Sequence, residues 1–181
     1  MYLRAAILFS LVIFIGNIMA NASKLEFTNI KCHAKDTAFL DFKYCFIKSV
    51  NRTYKYISLK ASLHQVPITN ASAKLQILRR FLSYMPITIA ADIDVCKYMA
   101  SKKNLANPML RLFEDITTNY TNANHKCPYD HDLFIDRLPA QFLSEHFTNS
   151  LPLPPGDYGF NSKWYTNSIE RATIHIYATI S

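Results

Sequence analysis

The densest group of reactive side chains is the run His125-Lys126-Cys127-Pro128-Tyr129-Asp130-His131-Asp132. Two imidazoles and two carboxylates so close together could ligate a metal or form an acid–base pair. Asp130, His131 and Asp132 are consecutive, however, and on an extended chain they point different ways. Their spacing matches no zinc pattern. A polar loop pinned by a disulfide and a proline accounts for the same residues, so the run is read as structural. An enzyme using Asp130, His131 and Asp132, or a metal held at His125 and His131, ranks behind the non-catalytic readings. No metal and no cofactor are expected.

Other chemistries lack their residues. Of three glycines only Gly156 and Gly159 lie beyond the N-terminal apolar run, which removes the glycine-rich phosphate cradles of P-loop and dinucleotide-binding folds. There is no Gly-x-Ser-x-Gly nucleophile elbow. The formal charge of +7 falls to +6 if Arg4 is removed with a leader. Arg79-Arg80 and Lys102-Lys103 are isolated doublets with no basic stripe between aromatics, so no nucleic-acid partner is expected.

The elements that must position these residues are mostly strands. Half of the 181 residues are hydrophobic, with 12 Phe and 11 Tyr, a composition suited to sheets. From Tyr54 to Val66, apolar Ile57, Leu59, Ala61 and Leu63 alternate with Ser58, Lys60, Ser62 and His64, predicting a long strand with one dry face. Pro67 ends it. Before it, Leu25 to His33 reads as a first strand. Phe39 to Lys48 reads as a second, with Leu40, Phe42, Tyr44 and Phe46 on one face against Asp41, Lys43 and Cys45. After it come a strand carrying Ala73, Leu75 and Ile77 that runs on to Pro86, and one carrying Ile87, Ile89, Ala91, Ile93 and Val95. The period then changes. Asn107-Pro108 opens a helix whose stripe is Met109, Leu112, Phe113 and Ile116. Pro139 opens a second, with Leu143 and Phe147 on one face. Leu151 to Gly156 should run extended, and the chain closes with a hairpin carrying Tyr158, Phe160 and Trp164, then Ala172, Ile174, Ile176 and Ala178. About seven strands and two short helices predict an antiparallel β-sandwich.

The N-terminus reads as a secretory signal peptide at residues 1–22: Arg4, an apolar run from Ala5 to Ile15, and Ala20-Asn21-Ala22 as a small-x-small cleavage site. The run is too short to span a bilayer. Cleavage before Ser23 is expected, with cleavage after Ala20 as the alternative. Residues 23–181 then form one domain, exported and without a membrane span. Four cysteines without a close pair suit an oxidising compartment. Of three possible pairings we expect Cys32–Cys45, across a short turn, and Cys96–Cys127, across the helical insertion. Sequons at Asn51, Asn70 and Asn119 fall between the predicted elements, where a glycan can sit in solvent.

Several motifs together resemble a known family. Tyr44-Cys45, Val50-Asn51-Arg52-Thr53-Tyr54-Lys55-Tyr56, Cys127-Pro128-Tyr129-Asp130-His131-Asp132, Leu138-Pro139, Leu151-Pro152-x-Pro154-x-Gly156-Asp157-Tyr158, Trp164 and Arg171-Ala172-Thr173 resemble a large insect family. Its members are small secreted proteins of unknown function, expanded in flies. That family is similar to the lipid-recognition sandwich superfamily that includes the ganglioside activator protein, and to insect chemosensory B proteins. The resemblance implies an immunoglobulin-like, lipid-recognition-type sandwich that carries a lipid or other small hydrophobic ligand, with no catalytic residues to transfer. Helices at one end of a sandwich can enclose an apolar cavity. The expected ligand-binding residues are Ile57, Leu59, Leu63, Leu75, Ile77, Ile89, Ile93, Phe113 and Trp164. A membrane receptor is a further candidate partner. The competing reading is an extracellular protein–protein interaction module with a packed core.

Overall fold

Eight strands and three helices follow one another in the computed structural model, which describes residues 24–101, 107–151 and 153–181, without the side chains at 88–89 and 147–150. Residues 1–22, expected to form a signal peptide, lie outside the described residues. The strands are β1 (Leu25–Ala34), β2 (Leu40–Ser49), β3 (Lys55–Leu63), β4 (Ser72–Arg80), β5 (Tyr84–Asp94), β6 (Leu133–Pro139), β7 (Gly156–Thr166) and β8 (Ile169–Ile180). The helices are α1 (Val95–Ser101), α2 (Pro108–Tyr120) and α3 (Ala140–Ser150). Every strand pairing is antiparallel. One sheet has the order β1-β8-β7-β4-β5 and the other β2-β3-β6. The fold is therefore the mainly β, antiparallel sandwich that the alternation predicts.

Three local differences have physical reasons. The strand read from Ala73 to Pro86 breaks at residues 81–83 into the β4–β5 hairpin. Pro86 then sits in β5, at the edge of its sheet, where its missing donor is least costly. Val95 starts α1 instead of ending a strand, because Asp94 caps that helix by accepting from the Lys97 amide at 3.0 Å. Leu133–Pro139, where the sequence reading places no strand, supplies the third strand of the smaller sheet.

A fourth difference reorganises a whole face. The β2–β3 register shifts between Phe42 and Tyr44. One extra residue in a strand reverses every side chain beyond it. Leu40 and Phe42 face inward as expected, but beyond the shift it is Cys45 and Ile47 that do so. Tyr44 and Phe46 turn outward and are exposed, their rings 5.7 Å apart. The reversal lets Cys45 reach Cys32 on β1, and the resulting disulfide joins the two sheets along one side of the sandwich.

The opposite side is spanned by helix. Asn107 caps α2 by accepting from the Met109 amide at 2.8 Å, with Pro108 in the first turn. The stripe Met109, Leu112, Phe113 and Ile116 faces inward over the gap between β5 and β6. Tyr98 Oη on α1 donates to Glu114 Oε2 at 2.7 Å, and His146 on α3 meets Asp115 at 2.7 Å. The Cys96–Cys127 disulfide ties the start of α1 to the chain that returns after α2.

The packed end of the core holds Phe27, Ile57, Ile77, Tyr158 and Ile180, all fully buried. Helix α3 docks there, where Ser144 Oγ accepts from the Leu25 amide at 2.7 Å. No helix among the described residues is long and apolar enough to cross a membrane.

Candidate functional site

At the end of the sandwich where α1 and α2 attach, the sheets do not meet. A cavity of about 260 Å³ lies between them, with an almost wholly apolar lining. Protein interiors are close-packed, and voids beyond the size of a water molecule are few. A single water needs about 10–15 Å³ of such space, so this cavity is far larger than an ordinary packing void. An apolar cavity of this kind need not fill with water, because water requires polar partners.

Both sheets and all three helices contribute. Phe42, Leu59, Ala61 and Leu63 come from β2 and β3, Leu75 from β4, and Phe160 and Trp164 from β7. Ile174 and Ile176 come from β8, Met99 from α1, Met109, Leu112 and Phe113 from α2, and Leu143 from α3. Phe113 and Trp164 lie 6.3 Å apart, ring to ring, at the contact of α2 with β7. Leu138 belongs to the lining and is itself fully buried at the boundary with the packed end.

The expected ligand-binding residues divide between these regions. Leu59, Leu63, Leu75, Phe113 and Trp164 line the cavity. Ile57, Ile77 and Ile93 do not: each is buried in the packed core, Ile57 and Ile77 with no exposed surface. Alternation places all but the helical Phe113 on the dry faces of their strands, and it carries no information about which stretch of a dry face meets a partner. The side chain of Ile89 lies outside the described residues, as does that of Phe147. Sequence reasoning missed Phe42, Phe160, Ile174 and Ile176 as lining. Their inward alternation was readable, and the residues opposite them were not.

The polar cluster is tied up in structural bonds. Asp132 accepts from the Leu63 amide at 3.1 Å and from Ser62 Oγ at 3.2 Å, and its carboxylate meets Lys60 Nζ at 3.0 Å. The Lys60 ammonium, first, and the Leu63 amide hold its pKa below the usual aspartate range. His125 and His131 meet through their Nε2 atoms at 2.8 Å. Asn122 Nδ2 reaches His131 Nδ1 at 3.0 Å, and His125 Nδ1 lies 2.7 Å from the Lys126 carbonyl. Beneath them Tyr129 is buried, its hydroxyl donating to the carbonyls of Ala123 and His125 at 3.1 and 3.2 Å. Burial pushes its pKa up. No group of three metal-ligating side chains is present among the described residues.

Asn51, Asn70 and Asn119 are all exposed. Asn119 falls within the last turn of α2 and not in a loop, and its Nδ2 donates to the Asp115 carbonyl at 2.8 Å.

Fold and site together define an antiparallel β-sandwich with an apolar interior cavity at one end. Residues 73–160, from β4 into β7 and a little under half of the chain, match the profile of a family described as a protein of unknown function, DUF1091. That stretch includes β6 and all three helices. No curated protein matches the chain.

Proposed function

We propose that this protein is a secreted, non-enzymatic binding protein that carries a lipid or other small hydrophobic molecule between its two sheets. The observation that carries the reading is the cavity of about 260 Å³ lined almost entirely by apolar side chains. Its size approaches the several-hundred-Å³ range of small-molecule sites. A packed sandwich would instead leave the two sheets in contact along their length. Two disulfides agree with export. The motifs resemble an insect family that is itself similar to lipid-recognition sandwiches and chemosensory B proteins, and this supports a fatty, steroid-like or semiochemical cargo. The test is native mass spectrometry of protein purified from its natural source, with lipid extraction. A co-purifying hydrophobic molecule, released when Leu59→Trp fills the cavity, is the expected result. Protein that emerges empty and binds no apolar fluorophore would refute the reading.

One observation favours a second reading, recognition of a receptor or another secreted protein. The β4–β5 hairpin tip exposes Phe81, Met85 and a Leu82 that is 104% accessible. Arg79 lies over the Phe81 ring at 5.4 Å, so the tip is both apolar and basic. The tip lies at the packed end of the sandwich, away from the cavity, so alanine substitution at Phe81 and Leu82 separates the two roles. A surface-recognition protein loses partner binding, and a carrier keeps its ligand.

A further inference from the structure

Resting on the carrier reading, the geometry assigns the cavity a polar anchor and thereby the chemical class of its ligand. We propose that Arg171 receives an oxygen acceptor, a carboxylate or carbonyl at one end of an otherwise apolar molecule, through its Nε–H.

Arg171 sits where the β7–β8 register shifts. Trp164 pairs with Ala172 and Tyr165 with Glu170, so Arg171 is the extra residue of a bulge. A bulge re-aims a side chain, and here Arg171 joins the residues that line the cavity, beside the inward-facing Ala172. Its side chain is 13% exposed. It lies 4.2 Å from the ring centroid of Phe39, itself a buried lining residue. Asp36 takes Nη1, while the other Asp36 oxygen accepts from the Ala38 amide at 3.1 Å. Nε is buried and has no hydrogen-bond partner.

The other polar atoms around the cavity are differently placed. Ser162 Oγ accepts from Trp164 Nε1 at 3.0 Å, Thr117 Oγ1 donates to the Glu114 carbonyl and Thr121 Oγ1 to that of Thr117. Asn161 Oδ1 is also buried without a partner. Asn161 is also among the lining residues, but it lies between Phe160 and Ser162, which pair with Ile77 and Leu75, so alternation sets its side chain on the opposite face of β7. An unmet buried donor costs free energy unless something accepts from it. Nε–H is donor-only, so its complement is an acceptor. Asp36 already neutralises the guanidinium, so an uncharged carbonyl serves as well as a carboxylate. A bare hydrocarbon leaves the donor unmet, and an amine brings a second donor.

The experiment is displacement of a neutral apolar fluorophore, N-phenyl-1-naphthylamine, from the full disulfide-bonded chain by four ligands built on the same ten-carbon chain: decanoate, methyl decanoate, decane and decylamine. On the wild type, decanoate and the ester displace at concentrations at least about tenfold below decane and decylamine, as a hydrogen bond from a charged donor implies. Arg171→Met keeps an apolar stem over Phe39 and brings the acid and ester down to the level of decane. The Arg171 Nε–H resonance shifts with the acid and ester and not with decane, a change that a purely structural arginine would not give. Equal displacement by decane or decylamine on the wild type overturns the anchor while leaving the carrier reading intact. A wild type that takes up neither fluorophore nor any ligand overturns both. If Arg171→Met fails to fold, the wild-type series and the resonance decide.

Discussion

Ile57 and Leu59 are two residues apart on the same inward face of β3, yet they sit in different surroundings. Ile57 has no exposed surface and lies outside the cavity; Leu59 is 4% exposed and lines it. Replacing either by tryptophan adds roughly six non-hydrogen atoms. At a water's share of liquid volume these need at most about 180 Å³, less than the cavity's roughly 260 Å³. Leu59→Trp can therefore place its indole in existing space and should cost less than about 1 kcal/mol. Overpacking a filled core typically costs about 1–3 kcal/mol, and so large an insertion at Ile57 belongs at or above the top of that range. For a domain of this size 1 kcal/mol moves Tm by about 2–4 °C. Leu59→Trp should lower Tm by under about 3 °C, and Ile57→Trp by more than about 6 °C. The assay is a pair of melting curves with fluorophore binding measured alongside. Leu59→Trp should lose the fluorophore while staying folded. Equal, large destabilisation of both variants would refute the distinction between a packed end and a cavity end.

Asp132→Asn should destabilise the protein at neutral pH and change little in strong acid. The folded-state pKa of Asp132 is depressed, so its contribution is fully present above about pH 4 and is lost as pH falls through the lower folded value. Urea unfolding of wild type and variant between pH 2 and 7 checks this, and a difference that persists at pH 2 would count against it. Removing the Cys96–Cys127 bond in the double Ser variant, a loop separation of 31 residues, should cost about 3–4 kcal/mol by chain entropy. Fluorophore affinity should also fall, because α2 loses a tether; denaturant melts and binding curves measure both. Enzymatic deglycosylation should release glycans from Asn51, Asn70 and Asn119, all exposed. Mass mapping that finds any of the three unmodified in secreted protein removes that site.

The sandwich was legible because period-two alternation is a local property, and the apolar residues of β3 and of β8 beyond Arg171 follow it. What the alternation could not carry was the register. Nothing in Phe42-Lys43-Tyr44 marks one extra residue, yet that residue decides that Cys45 and Ile47 face the core and Tyr44 and Phe46 the solvent. The pairing of Cys32 with Cys45 was still readable from proximity across a turn, although the bond joins two sheets and not neighbouring strands. The site was legible only in part for a related reason. Leu59 and Ile57 look alike in sequence, and the difference between lining and filling lies in what stands opposite, which is set by contacts distant in the chain. Arg171 illustrates the same limit. A bulge places it among the lining residues, and its Nε–H stands out only beside the partners that Ser162, Thr117 and Thr121 already have.

The two disulfides explain why the space opens at one end and on one side. Cys32–Cys45 clamps β1 to β2, so along that seam the sheets are held together. Across the molecule, among the described residues, no strand links β5 to β6, and the closure there is α2, which rests on side-chain bonds to α1 and α3 and, just after its end, on a bridge between Thr121 and Ile135. A helix lying over a gap between sheets covers it without filling it, since helix and strand side-chain rows do not interdigitate along the full length of a sheet. Burial of Met109, Leu112 and Phe113 still drives the helix down, at about 25 cal/mol per Å² of apolar area removed from water. The Cys96–Cys127 bond limits how far that helix can leave. Movement of α2 about its tether, and not separation of the clamped sheets, is then how the space is expected to widen for a hydrophobic molecule. Hydrogen exchange offers a direct comparison, because amides of α2 should exchange by local opening while those of β1 and β8 exchange only with global unfolding. Bound ligand should slow the first set and leave the second where it was. Uniform slowing across both sets would mean that the sheets themselves part, and the strap-like role of α2 would be wrong.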